Sequence, residues 1–326
     1  MEHGLPASLL LSRDVRGGPA RWDRDAALHR LRAGAYVPAA EWARLAPWER
    51  YRMRVHAVAQ TWRAPVFCLE SAAVEHDLPL VGEPREIHLV SVDGKTWRQG
   101  DVHVHGWREE RPVTAVGGLR VATLEDTTTD LCRVLPPAFA LAVADAALRR
   151  MAADGDGFDI LAHGAGQPNR RGLRQLAWVR ARATPLAESS GESVSRAVIE
   201  WLGFDPPDLQ HEFRYEGATD RSDFYWPAAR IIGESDGYGK YDADNPATMK
   251  AHFIREKQRE DRLRRYERGF ARWDWGDAMR GAPLGTKLHA AGLTASRHAN
   301  RTMLATLASH PRSFPRTRGN AANPTT

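Results

Sequence analysis

The chain has 326 residues, of which 42% are hydrophobic and 27% are charged. This balance is typical of folded globular proteins, and the length exceeds that of an average domain, so two or three domains are expected. No apolar run approaches the roughly 18 residues of a membrane-spanning helix, and the first residues lack the charged lead and apolar core of a signal peptide. We therefore expect a cytoplasmic protein, with Cys68 and Cys132 as buried thiols rather than a disulfide or a metal site.

The net charge of +5 comes from 46 basic and 41 acidic residues. No acidic residue follows Asp277, whereas seven basic residues do, so the rest of the chain carries about −2 (5 − 7). The basic character therefore belongs to the last segment, residues 281–326, which we predict to be a partly disordered tail. Two interpretations stay open for this tail: solvation, or contact with nucleic-acid phosphates without sequence preference.

Residues 1–50 predict a small helical head. The stretch 23–32 has apolar positions that suit a helix, and the Gly34-Ala-Tyr-Val segment after it is typical of a strand leaving a turn. A helix followed by Arg-x-Gly-x-Tyr-Val resembles the winged helix-turn-helix head of AbiEi-type antitoxins. The resemblance implies a DNA-reading head, but a Gly- and Pro-containing segment at 13–19 replaces the usual preceding helices.

Residues 51–183 predict a small α+β middle region that continues this resemblance. Period-two alternation in residues 86–91 and 101–105 predicts two strands. His103 and His105 point to the same face of the second strand, a spacing that can bind a metal ion. Because no third ligand stands nearby in sequence, we favour an exposed strand face over a metal site.

A cluster of Pro, Ser and Gly residues at 184–191 marks the start of a further domain, predicted over residues 186–280. Its first helix carries Glu192 and Arg196 at positions i and i+4. In one interpretation these two residues form an ordinary surface ion pair. In the other, Glu192 faces a functional site, and the sequence leaves both open.

The same domain contains a hairpin rich in acidic residues. Residues 222–226 are short, aromatic and followed by Pro, and residues 230–234 contain the apolar pair of a buried strand. Strands rise about 3.3 Å per residue, so a tight hairpin can place Asp223 opposite Glu234. Carboxylates that meet beside apolar neighbours repel each other, and Mg²⁺, which prefers oxygen ligands, relieves that repulsion. We favour a metal site at Asp223, Glu234 and Asp236 over ordinary turn-capping and strand-end carboxylates.

The order of elements carries a second resemblance. An acid-bearing helix at 192–196, a strand with Asp223-Phe, a strand with Glu234-Ser-Asp-Gly, a charged helix at 256–262 and an aromatic strand at 272–275 follow one another. This order resembles the PD-(D/E)XK restriction-endonuclease fold, and more closely its branch similar to very-short-patch-repair (Vsr) endonucleases. The resemblance implies an α/β (α+β) protein whose C-terminal mixed sheet is flanked by helices. It also implies Mg²⁺- or Mn²⁺-dependent hydrolysis of DNA.

The resemblance also implies a role for each candidate residue. Glu192 corresponds to the family's first-helix glutamate. Asp223 and Glu234 correspond to its metal ligands, and Asp236 to a further ligand or a group that positions water. Asp236 stands where the wider superfamily has its lysine, so the activating base is unassigned and Lys240 is a candidate for it. The basic residues proposed to contact DNA are Arg196, Lys257 and Arg262.

A rival interpretation is a non-catalytic DNA-binding regulator, similar to the antitoxin of a type IV toxin–antitoxin or phage-defence system. The missing lysine favours this rival. The retained carboxylates favour the enzyme, because a scaffold has no need to gather unpaired acids. Both interpretations predict DNA as a partner and no membrane, and neither identifies a cognate toxin or defence partner.

Overall fold

The computed structural model describes residues 4–14, 22–91, 93–107, 109–155, 157–236 and 246–315, without the side chains of residues 154 and 246–253. These residues combine helices with mixed sheets, which confirms the predicted α+β class. They fall into two compact units. The first lies within Met1–Leu135, Phe158–Ala177 and Pro311–Pro324, and the second within Pro136–Gly157 and Trp178–His310. Among the described residues, no helix is long and apolar enough to cross a membrane.

The helices and strands are numbered here in chain order. The strands are β1 (Leu10–Leu11), β2 (Leu28–Arg32), β3 (Ala35–Pro38), β4 (Val66–Phe67), β5 (Ile87–Ser91), β6 (Trp97–Gln99), β7 (Val102–Gly106), β8 (Val113–Val116), β9 (Leu119–Ala122), β10 (Asp208–Tyr215), β11 (Ala218–Trp226), β12 (Ile231–Asp236) and β13 (Gly269–Asp274). The helices are α1 (Ala39–Arg44), α2 (Pro47–Thr61), α3 (Leu69–Ala73), α4 (Leu124–Val134), α5 (Pro137–Asp154), α6 (Ile160–Gly166), α7 (Leu173–Arg180), α8 (Ser190–Trp201), α9 (Pro246–Tyr266), α10 (Trp275–Arg280), α11 (Ala282–Ala290) and α12 (Arg301–Ala305).

The head of the first unit is built on a three-stranded sheet of order β1-β3-β2. The helix predicted over residues 23–32 is wrong, because its second half is strand β2, which pairs antiparallel with β3. Gly34 lies in the turn between them with φ +80°, a conformation that glycine adopts without strain. Leu31 packs against a core that contains Val37 and Met53. Pairing with β3 and this burial therefore override the helix-like spacing of apolar residues.

A six-stranded sheet of order β6-β7-β5-β4-β9-β8 forms the rest of the first unit's framework. The strands predicted at 86–91 and 101–105 are confirmed as β5 and β7, and they pair in parallel. Their apolar residues alternate with histidines along each strand. The buried apolar residues are Ile87, Leu89, Val102 and Val104. Because side chains alternate across a strand, the histidines project from the opposite face of the sheet.

The second unit is organised around a four-stranded sheet of order β10-β11-β12-β13, in which only β12 and β13 pair in parallel. On one face, Leu263 of α9 packs with Tyr225 and Ile232. On the other, the Trp273 Nε1–H donates to the Ser195 Oγ of α8, at 2.8 Å. Helices therefore flank both faces of this sheet, and the chain order is α8-β10-β11-β12-α9-β13.

Two predicted segments are placed differently in the structure. Helix α5, which the sequence assigned to the middle region 51–183, lies in the second unit, where Asp145 pairs with Arg196 of α8 at 2.8 Å. The described part of the predicted tail, residues 281–315, is folded and contributes apolar side chains to the interior of the second unit. These buried residues are Leu284, Leu288, Leu293 and Leu307.

Candidate functional site

The carboxylates of Asp223 and Glu234 lie where the pairing of β11 with β12 ends. Phe224 pairs with Gly233 in this antiparallel ladder, so the register continued by one residue sets Asp223 opposite Glu234. The Oδ2 atom of Asp223 accepts the backbone N–H of Ser235, at 2.8 Å. The turn between the two strands thus brings both acids to one end of the sheet.

Glu234 is buried, with 9% of its surface exposed. Burial, followed by the negative charge of Asp223, raises the pKa of Glu234 to about 7. The Arg259 guanidinium lies 3.1 Å from Glu234 Oε1, but it also holds Glu256 at 2.6 Å. Among the described residues, Arg259 and, through its charge, Arg272 offset part of the cost of placing the two carboxylates together.

Asp236 lies two residues after Glu234 on the same face of β12 and is exposed. Its Oδ1 atom is 3.5 Å from Nε of Arg272 on the neighbouring strand. Asp223, Glu234 and Asp236 do not bring oxygen atoms within 4.8 Å of one another as a group of three. The structure thus places Asp223 with Glu234 and leaves Asp236 at the margin of this pair.

Glu192 caps the start of α8 and is 5% exposed. It accepts hydrogen bonds from the backbone N–H of Glu188, the hydroxyl of Ser189 and the side-chain amide of Gln210, at 2.8–2.9 Å. Burial raises the pKa of this carboxyl. Arg196, which one of the two interpretations paired with Glu192, binds Asp145 and the carbonyl of Arg182 instead.

Gln210, which donates to Glu192, lies on strand β10 beside the strand that carries Asp223. In the pairing of β10 with β11, Leu209 pairs with Phe224 and His211 pairs with Ser222, so the backbone of Gln210 lies opposite Asp223. A Cβ atom at Gly191 would lie 3.1 Å from Oγ of Ser235, the residue whose N–H binds Asp223. The start of α8 therefore borders the end of the sheet that carries Asp223 and Glu234.

The basic residues predicted to contact DNA or to activate water differ in their partners and their exposure. Arg196 is engaged with Asp145, as described above. Arg262 donates two hydrogen bonds to Asp220, at 2.6 and 2.7 Å. Lys257 is exposed on α9, and Lys240 lies outside the described residues. Sequence reasoning missed Arg259, because nothing in the basic run of α9 marks one arginine as the partner of Glu234.

A second cluster, in the first unit, contains His88, His103 and His105. His88 of β5 is directly beside His103 of β7 in the parallel register, and His105 follows on the same face. One ligand atom from each ring lies within 4.8 Å of the other two. The predicted exposed face is wrong, because His103 and His105 are half-buried and His88 is 2% exposed. His88 also adds a third imidazole from the adjacent strand.

Burial lowers the pKa of each of the three rings, which favours the neutral imidazole. Burial lowers the pKa of His88 to about 4, and burial followed by the charge of its neighbour His88 lowers the pKa of His105 to about 3. Burial also lowers the pKa of His103. Sequence reasoning saw two of these residues but had no signal for the parallel pairing that adds the third.

No protein-family model, curated protein or solved structure matches the chain. The functional interpretation accordingly depends on the geometry of the described residues.

Proposed function

We propose that the second unit is a divalent-metal-dependent endonuclease that hydrolyses DNA phosphodiesters, with Asp223 and Glu234 as the metal ligands. The observation that carries this proposal is the facing pair of carboxylates at the end of β11 and β12. Placing two acids together beside apolar residues costs free energy, and a bound cation relieves that cost. Mg²⁺ and Mn²⁺ fit this site, because both carboxylates offer oxygen ligands. One or two carboxylates, together with substrate phosphates, suffice to bind Mg²⁺.

The arrangement of elements supports the same proposal. A helix precedes three antiparallel strands, a second helix crosses over, and a fourth strand pairs in parallel with the third. Asp223 lies on the second strand and Glu234 on the third. This is the placement implied by the resemblance to the Vsr-like branch of PD-(D/E)XK endonucleases. Glu192, on the first helix, accepts a hydrogen bond from Gln210 of β10, the strand beside the one that carries Asp223.

The mechanism assigns separate tasks to the residues of the site. A bound Mg²⁺ would supply activation of a water molecule and neutralisation of charge on the phosphate. Asp223 is fixed for binding by the N–H of Ser235. Arg259, beside Glu234, orients that carboxylate and supplies positive charge near the phosphate. Asp236 would position water, and Lys240, outside the described residues, remains the proposed partner of the attacking water.

A second candidate is a non-catalytic DNA-binding regulator, and a specific observation favours it. Arg259 lies beside Glu234, and Arg272 lies 3.5 Å from Asp236. These arginines offset part of the acidic charge without any metal ion, as expected of a nuclease fold kept as a scaffold.

Cleavage of DNA separates the two candidates. Supercoiled plasmid and a mismatched duplex would be incubated with Mg²⁺ or Mn²⁺ and wild type, Asp223→Asn or Glu234→Gln. Glu212→Gln is the matched control, because this side chain is 60% exposed on β10. We expect metal-dependent cutting by wild type and the control, lost in both site variants. If folded wild type binds DNA in a mobility-shift assay but does not cut it, the endonuclease proposal is overturned. The non-catalytic DNA-binding regulator is then the candidate that fits.

A further inference from the structure

We propose that His88, His103 and His105 of the first unit form a binding site for a transition-metal ion of the Zn²⁺ class, with one coordination position left open. Three imidazoles from two adjacent strands project from one face of the sheet. One nitrogen of each ring lies within 4.8 Å of the other two, so the three rings surround a single position. The site has no residue in common with the acidic pair of the second unit.

The distance between two of the rings fits an inserted ion with little movement. Nδ1 of His88 lies 2.9 Å from Nε2 of His105. Two neutral imidazoles share such a contact through one proton. Zn–N bonds of about 2.0–2.1 Å in a tetrahedral site separate two ligand nitrogens by about 3.3 Å, so the rings need to part by only about 0.4 Å. An ion would then replace the ring-to-ring hydrogen bond.

Two carboxylates lie close to outer ring nitrogens, the nitrogens that point away from the other two imidazoles. Nε2 of His88 is 3.4 Å from Oε2 of Glu70, and Nδ1 of His103 is 3.3 Å from Oε2 of Glu86. A carboxylate at the outer nitrogen fixes the proton there and directs the other nitrogen to the metal, as is usual for metal-binding histidines. The hydrogen bond between His103 and Glu86 has this form, whereas Glu70 lies near Nε2 of His88 without forming a hydrogen bond to it.

Each of these carboxylates is itself held by an arginine. Arg312 donates to Glu70 at 2.6 Å, and Arg98 lies 3.3 Å from Glu86. Both guanidinium groups also come within 3.3 Å of the outer ring nitrogens of the adjacent histidines. A guanidinium only donates hydrogen bonds, so these contacts compete with the carboxylates for the outer nitrogens. The positive charge favours the neutral imidazole that a metal ion requires.

The donor set selects the class of ion. Imidazole nitrogen suits Zn²⁺, Cu²⁺ and Ni²⁺, whereas Mg²⁺ and Ca²⁺ prefer oxygen. Three histidines leave the fourth position of a tetrahedral ion for water or another ligand. His105 also lines a cavity of about 570 Å³ together with Cys68, Trp107 and Arg111, so solvent reaches the cluster from that side.

Metal binding by the full-length chain tests this inference. Protein stripped with a chelator would be titrated with Zn²⁺ against a chromophoric chelator, and with Co²⁺ to record its ligand-field spectrum. The variants are His103→Gln, His105→Gln and the double variant, with exposed His298→Gln as the matched control. Glu86→Gln removes a carboxylate at an outer nitrogen and leaves all three ligands. Circular dichroism verifies that each variant is folded.

We expect one Zn²⁺ per chain for wild type and the control, and the spectrum of four-coordinate Co²⁺. Glu86→Gln should weaken Zn²⁺ binding by about 10- to 100-fold. Each histidine variant should weaken it more than Glu86→Gln does. Folded wild type that binds no Zn²⁺, or a folded double variant with unchanged affinity, would overturn the proposal.

Discussion

Replacing Glu234 by Gln is expected to stabilise the metal-free second unit at alkaline pH. The pKa of Glu234 is raised from 4.5 to about 7. A carboxyl with a raised folded-state pKa contributes stability that is complete below pH 4.5 and is lost as the pH rises through 7. At 1.36 kcal/mol per pH unit, this rise in the pKa of Glu234 on folding corresponds to about 3 kcal/mol of stability. Most of that stability is lost between pH 5 and pH 8. The Glu234→Gln variant carries no charge at either pH and keeps this stability.

The assay is hydrogen exchange in increasing urea with EDTA, read on peptides that cover β11 and β12, at pH 5 and pH 8. The stability of Glu234→Gln relative to wild type should rise by about 2–3 kcal/mol between the two pH values. Asp223→Asn should reduce the pH dependence of wild type, because it removes a charge that raises the pKa of Glu234. Glu212→Gln, the exposed control, should follow wild type. A stability difference that does not change with pH would contradict a raised pKa of Glu234 in the folded protein.

Two further variants test the packing that supports the site. Asp145→Ala leaves the guanidinium of Arg196 without its buried carboxylate partner. The free energy of unfolding in urea, measured for the second unit, should therefore fall by about 3 kcal/mol. An unchanged unfolding midpoint would contradict the importance of this ion pair. Gly233→Ala places a Cβ atom 2.7 Å from the Trp273 ring, so the same assay should show a loss of about 1–3 kcal/mol. Gly157→Ala, where a Cβ atom meets nothing within 4 Å, is its control, and equal effects of the two changes would contradict the packing argument.

Features set by nearby residues could be predicted from the sequence. The acidic hairpin is one example, because aromatic and apolar strands around a short turn determine which residues face each other. The placement of Asp223 beside Glu234 follows from this local geometry. Period-two alternation likewise identified β5 and β7.

Features set by distant residues could not be predicted. Strand β2 has helix-like spacing and becomes a strand only because β3 and a core residue of α2 cover it. His88 joins His103 through the parallel pairing of β5 with β7, which no local pattern encodes. Arg259 reaches Glu234 across 25 positions of sequence. These long-range contacts decide which charges meet at each site.

Counting bound Mn²⁺ shows whether Asp223 and Glu234 hold a divalent ion. Electron paramagnetic resonance of free Mn²⁺ would be recorded with full-length protein carrying His103→Gln and His105→Gln, so that the histidine cluster does not contribute. We predict one bound Mn²⁺ per chain in this background. Adding Asp223→Asn and Glu234→Gln should abolish that binding. Equal Mn²⁺ binding with and without the two carboxylates would contradict the account.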